Sequence, residues 1–145
     1  MADTFCLEIA TPERSIVKED VVRAQVPGKD GYMGILPDHA PLLSALGVGT
    51  LTYVNAQGGK AVIAIHGGFV EVLDNQVRVL ADLAEHGPEI DVERAQRALQ
   101  RAKQAMEKPD VVNPAEGADP AIALASAMRA EARLEAARKA KAGEE

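Results

Sequence analysis

Apolar and polar residues alternate along the first half of the chain. Phe5, Leu7 and Ile9 fall on one face of an extended segment, with Thr4, Cys6 and Glu8 on the other. Val22, Ala24 and Val26 repeat the alternation, as do Leu51 with Tyr53, and Val77, Val79 and Ala81. Val62-Ile63-Ala64-Ile65 is apolar on both faces, which suits a central strand. Turn signals separate these runs: Thr11-Pro12-Glu13, Pro27-Gly28, Gln57-Gly58-Gly59 and Asp74-Asn75. Short strands at regular spacing predict a sandwich or barrel.

The periodicity changes after Gly87-Pro88. Asp91 is a suitable N-cap, and Val92, Ala95, Leu99, Ala102 and Met106 follow with helical spacing. Pro109 ends that helix. Residues 109–120 hold three prolines and predict an irregular link. Asp119-Pro120 then opens a second helix to about Lys141, with Leu124, Ala127, Ala130 and Leu134 on one face. The expected fold class is α+β in two parts: strands over 1–87, then an antiparallel α-helical hairpin over 88–145. Alanine faces bury little area, so the hairpin is expected to dock weakly and to be movable.

Composition supports the division. Ten of the twelve glycines lie at or before Gly87. Residues 1–88 carry 11 acids against 6 bases, and residues 89–145 carry 11 against 10, for a net charge of −6 overall. The acidic balance argues against autonomous binding to nucleic acid or anionic membranes. With aromatics at 3%, a base-stacking platform has almost nothing to be built from. The single cysteine, Cys6, excludes an internal disulfide framework and fits a reducing compartment. No apolar run is long enough to cross a bilayer, and Met1–Ala10 lacks the features of a secretory signal. A soluble, cytoplasmic protein is expected.

Reactive centres are scarce. His39, His66 and His86 lack carboxylates at ligand spacing, so no metal site is expected and the three read as surface or loop histidines. Cys6 has no neighbouring base motif, and no Gly-x-Ser-x-Gly elbow or phosphate-cradling glycine motif occurs. Gly67-Gly68 reads instead as a bulge or close packing between strands. Arg94, Arg97 and Arg101 can share one face of the first helix, and Arg129 and Arg133 one face of the second. A solvated face explains such spacing, and so does an anionic partner.

The most specific string runs Val26-Pro27-Gly28-Lys29-Asp30-Gly31-Tyr32-Met33-Gly34-Ile35-Leu36-Pro37-Asp38-His39-Ala40-Pro41-Leu42-Leu43. It closely resembles the epsilon subunit of bacterial F-type ATP synthase. Gly67–Val72, Asn75–Asp82 and Ile90–Ala95 are similar to later segments of that family, in the same order. His66 departs from the resemblance, standing where the family more often has a small hydroxyl residue. The 109–120 link is also longer and richer in proline than is usual.

The resemblance implies an N-terminal β-sandwich of about ten strands, and a rotor subunit that does no chemistry itself. The sandwich would couple the gamma subunit to the c ring in proton-driven ATP synthesis. The hairpin would regulate ATP hydrolysis, reaching the alpha and beta catalytic subunits when extended. Contacts with the c-ring loops and gamma would fall on Asp30, Gly31, Tyr32, Met33, Gly34, Pro37, Asp38 and His39. A regulatory ATP, with no other cofactor, would lie near Glu85, Ile90, Asp91, Arg94, Ala95, Arg129 and Arg133. The implied location is the cytoplasmic face of the bacterial inner membrane, peripheral and without insertion. Two further readings remain open on the residues alone: an ATP sensor using Arg94, Arg129 and Arg133, and a small hydrolase using Asp38 and His39.

Overall fold

A computed structural model of the protein describes residues 2–107 and 120–143. Among these residues seven strands form a single curled sheet: β1 (Phe5–Ala10), β2 (Ser15–Gly28), β3 (Gly31–Ile35), β4 (Leu42–Asn55), β5 (Lys60–Leu73), β6 (Gln76–Ala81) and β7 (Ala84–His86). A 3-10 turn at Gly87–Glu89 leads to α1 (Val92–Glu107), and α2 spans Pro120–Gly143.

β2, β4 and β5 are each 14 residues long, and β2 and β5 change neighbours part-way. The first part of β2 pairs with β1 and its last part with β3. β5 pairs with β7 through Ile63–Ile65 and with β6 through Gly68–Leu73, while β4 follows its other edge. The expected count of about ten strands becomes seven, because β2, β4 and β5 each run through both layers and give two five-stranded layers. β1 closes the ring by pairing antiparallel with β2 and parallel with β6.

The core lies between the layers. Phe5, Leu7 and Ile9 meet Val77, Val79 and Ala81 there, with Leu51, Tyr53, Ile63 and Ile65. The alternation read along β2 needs one correction. Val21 is fully buried and Val22 only half so, because the pairing slips between Val21 and Arg23 and reverses the side-chain phase. Pro27 and Gly28 likewise end β2 rather than turn, and the turn falls at Lys29-Asp30. Asp74 and Asn75, with φ of 49° and 61°, form the tight turn between β5 and β6. Gly67 and Gly68, with φ of 76° and 126°, mark where β5 passes from one layer to the other. A Cβ at Gly68 would collide with the Leu80 carbonyl oxygen.

α1 begins as expected, with the Arg94 N–H donating to Asp91 Oδ1 at 3.1 Å. Ala95 and Ala102 of its stripe are buried and Leu99 half-buried, while Val92 and Met106 at the ends are exposed. In α2, Ala127 and Ala130 are buried and Leu134 is half-buried, but Leu124 is exposed. Ala132 and Ala136 are buried as well. At about 100° per residue, Ala136 and Ala140 lie on the opposite side of α2 from Ala127. α1 covers one side of α2, and the sheet covers the other. There Ala136 packs on Val62 and Ala64 of β5, flanked by Ile90 and Ala140. A Cβ added to Gly87 would come within 2.7 Å of the Ala136 carbonyl oxygen. The expected stop at Pro109, the rest of the link to residue 119 and the Asp119 cap lie outside the described residues.

Candidate functional site: the seam between the sheet and α2

Val62, Ala64 and His66 occupy alternate positions on the outer face of β5, so all three face α2. His66 is 6% exposed, against the expectation of a surface or loop histidine. Its Nε2 lies 3.1 Å from Glu85 Oε1, on the adjoining β7. The same oxygen accepts from Arg133 Nε of α2 at 2.6 Å. Sheet and helix are thus joined through one carboxylate. Burial, followed by the positive charge of Arg133, holds the His66 pKa below its ordinary value, and Glu85 opposes this. Arg129, one turn before Arg133, also repels a charged His66 and is held by Ser126 Oγ at 3.2 Å. Further along the seam, Lys139 Nζ donates to the buried Thr50 hydroxyl of β4 at 3.1 Å.

Of the residues expected around a nucleotide, the structure joins Glu85 to Arg133 directly and sets Arg129 within electrostatic reach of the same histidine. Ile90 packs in the apolar seam, Asp91 is occupied as the α1 cap, and Ala95 is buried. Arg94 is exposed on α1, and no described hydrogen bond or ion pair joins its side chain to Glu85 or Arg133. Two guanidinium groups beside a carboxylate and an imidazole can hold the helix down or recruit an anion. Among the described residues no three His, Cys, Asp or Glu side chains gather to hold a metal ion.

The second expected region is built around an edge strand. Gly31, Tyr32, Met33 and Gly34 belong to β3, which among the described residues pairs only with β2. Asp30 lies in the preceding turn, and Pro37, Asp38 and His39 follow the strand. The Tyr32 hydroxyl accepts from the Thr50 N–H at 3.2 Å, while its residue stays 53% exposed. Asp38 adopts φ 59°, its N–H donates to Asn75 Oδ1, and its Oδ2 accepts from Ala2 N. His39 Nδ1 contacts the carbonyl of its neighbour Ala40 at 2.7 Å. Asp38 and His39 are therefore engaged separately, which gives the hydrolase reading no dyad.

One surface escaped the sequence reading. Ala45, Phe69, Leu80 and Ala10 sit side by side on four adjoining strands, with Phe69 56% and Leu80 58% exposed. Their signal was present as large apolar residues at positions where the alternation calls for polar ones.

Two family models divide the chain. The ATP synthase delta/epsilon chain β-sandwich domain matches residues 4–87, and the long α-helix domain of the same family matches residues 89–138. The chain belongs to the ATP synthase delta/epsilon family. Among its relatives, the ATP synthase epsilon chain of Solibacter usitatus (strain Ellin6076) is 56% identical over 139 residues, covering 96% of this chain and 99% of that one. The epsilon chain of Desulfitobacterium hafniense (strain Y51) is 43% identical over 138 residues, covering 95% and 99%. The fold is similar to that of a chain in the Euglena gracilis mitochondrial ATP synthase assembly that includes the c-ring. That match has a TM-score of 0.70 at 24% identity, over 100% of this chain and 84% of the other. The family resemblance read from the sequence is therefore correct. Members named epsilon chain are non-catalytic subunits of ATP synthase, and this chain is one of them. No helix among the described residues is long and apolar enough to cross a membrane.

Proposed function

We propose that the chain works in the central stalk of a bacterial ATP synthase, coupling the gamma subunit to the c ring, and that its helical pair restrains ATP hydrolysis. The closed sandwich supplies a stiff body for transmitting torque. β3 and the turns around it, from Asp30 to His39, would meet the polar loops of the ring at the cytoplasmic face of the membrane. The exposed Phe69–Leu80 face suits a large apolar partner surface.

The observation that carries the regulatory half is the construction of the seam. α2 rests on the sheet through alanines, the Lys139–Thr50 hydrogen bond and, among the described residues, one ion pair, Glu85–Arg133, which is roughly one-third exposed. Such a contact is weak enough for partners to shift between a docked and an extended arrangement. Extended, the helices would present arginines and lysines to acidic segments of the alpha and beta subunits. Removing residues 89–145 should raise ATP hydrolysis by the assembled enzyme. Unchanged hydrolysis would refute the regulatory half and leave coupling in place.

The gathering of Glu85, Arg129 and Arg133 favours a second reading, in which ATP stabilises the docked helices. Calorimetry of the full chain should then show ATP binding that Arg133→Ala weakens at least tenfold. No heat of binding at millimolar ATP would remove this reading alone.

A further inference from the structure

The row of β5 beneath α2 is apolar except for His66. His66 Nε2–H donates to Glu85 Oε1, so the neutral ring holds its lone pair on Nδ1. That nitrogen is buried and has no hydrogen-bond partner among the described residues. A proton added there would form a buried N–H with no acceptor and place a positive charge beneath the helix. The charged groups around the ring come from each adjoining element. Glu85 belongs to β7, and Arg129 and Arg133 to α2. Asp82, in the turn between β6 and β7, stands against neighbouring Gly67, and Lys139 of α2 is tied to Thr50 of β4. Glu85 is already shared with Arg133, so its single carboxylate would face two cations.

We propose that His66 is a pH-sensitive latch: the neutral ring lies beneath docked α2, and protonation at Nδ1 drives the helical pair off the sheet. The proposal rests on the reading of that pair as a movable regulator, and names what moves it. The direction follows from the environment. Docking holds the His66 pKa below the ordinary value of about 6.5 to which a released ring returns. Docking is therefore at full strength above about pH 6.5 and weakens as the pH falls toward the lower docked value. One proton can change the docking equilibrium by at most about tenfold per pH unit.

Hydrogen exchange of the α2 amides in the full chain, corrected for intrinsic rates, reads this equilibrium. The β5 and β6 amides report that the sandwich is intact. Between about pH 7.5 and about pH 5.5, opening of α2 in the wild type should rise at least about threefold. His66→Gln should show the same opening at both values. If His66→Gln loses strand protection, His66→Ser takes its place under the same expectation. Equal opening at both pH values in the wild type, or the full pH response persisting without the histidine, would overturn the latch. Neither result bears on hydrolysis by the enzyme lacking residues 89–145, so the latch and the regulatory role fail separately.

Discussion

At the scale of single residues, backbone conformation and one shared carboxylate decide most. Gly68 combines a φ of 126° with the Leu80 carbonyl where a Cβ would stand. Gly68→Ala should cost about 2–3 kcal/mol, read as a lower urea midpoint at an unchanged slope. Glu85→Gln leaves the half-buried Arg133 without its counter-charge. It should weaken docking by about 1 kcal/mol, seen as roughly fivefold faster exchange in α2 while strand amides keep their protection. The glycine pair was legible in the sequence as a site of close packing, and Asp91 as a cap. His66 was not, because a histidine beside two glycines reads as a loop residue until the phase of Val62 and Ala64 is carried two positions further. Val22 misled for the opposite reason: a register slip is invisible in the pattern it interrupts.

At the scale of elements, α2 is held from two sides by its smallest side chains. Ala136→Leu would force a branched side chain into the space bounded by Val62, Ala64 and Gly87. It should weaken docking by about 1–3 kcal/mol, measured as faster proteolysis within residues 89–143 with the strand core unaffected. Asp91→Ala should cost about 1 kcal/mol of α1 stability, visible as lost helical signal near 222 nm on mild heating. The helices and most strands were legible because periods of 3.6 and 2 survive in the side chains. The sheet-facing side of α2 was hidden because alanine occurs all round the helix and the leucines mark only the opposite face. The pairing that makes Gly31–Ile35 a strand was not legible, because glycines and prolines in the Asp30–His39 stretch interrupt the alternation.

At the scale of the whole molecule, the two halves differ in how they are held. The sandwich has a continuous core from Phe5 to Ala84, whereas the helices touch it through a short apolar patch and a few polar contacts. A chain ended at Pro88 should therefore still unfold in one cooperative transition, followed by denaturant titration of the strand signal. A broad, non-cooperative transition would show that the helices complete the fold. The division into strands and helices was legible from glycine and alanine usage alone. The ring was not, since nothing in local alternation says that Cys6 will lie opposite Gln76. That parallel pairing also constrains how the molecule comes into being on the ribosome. The first strand cannot find its final neighbour until some seventy more residues have emerged, so the nascent chain must wait with one side of β1 open.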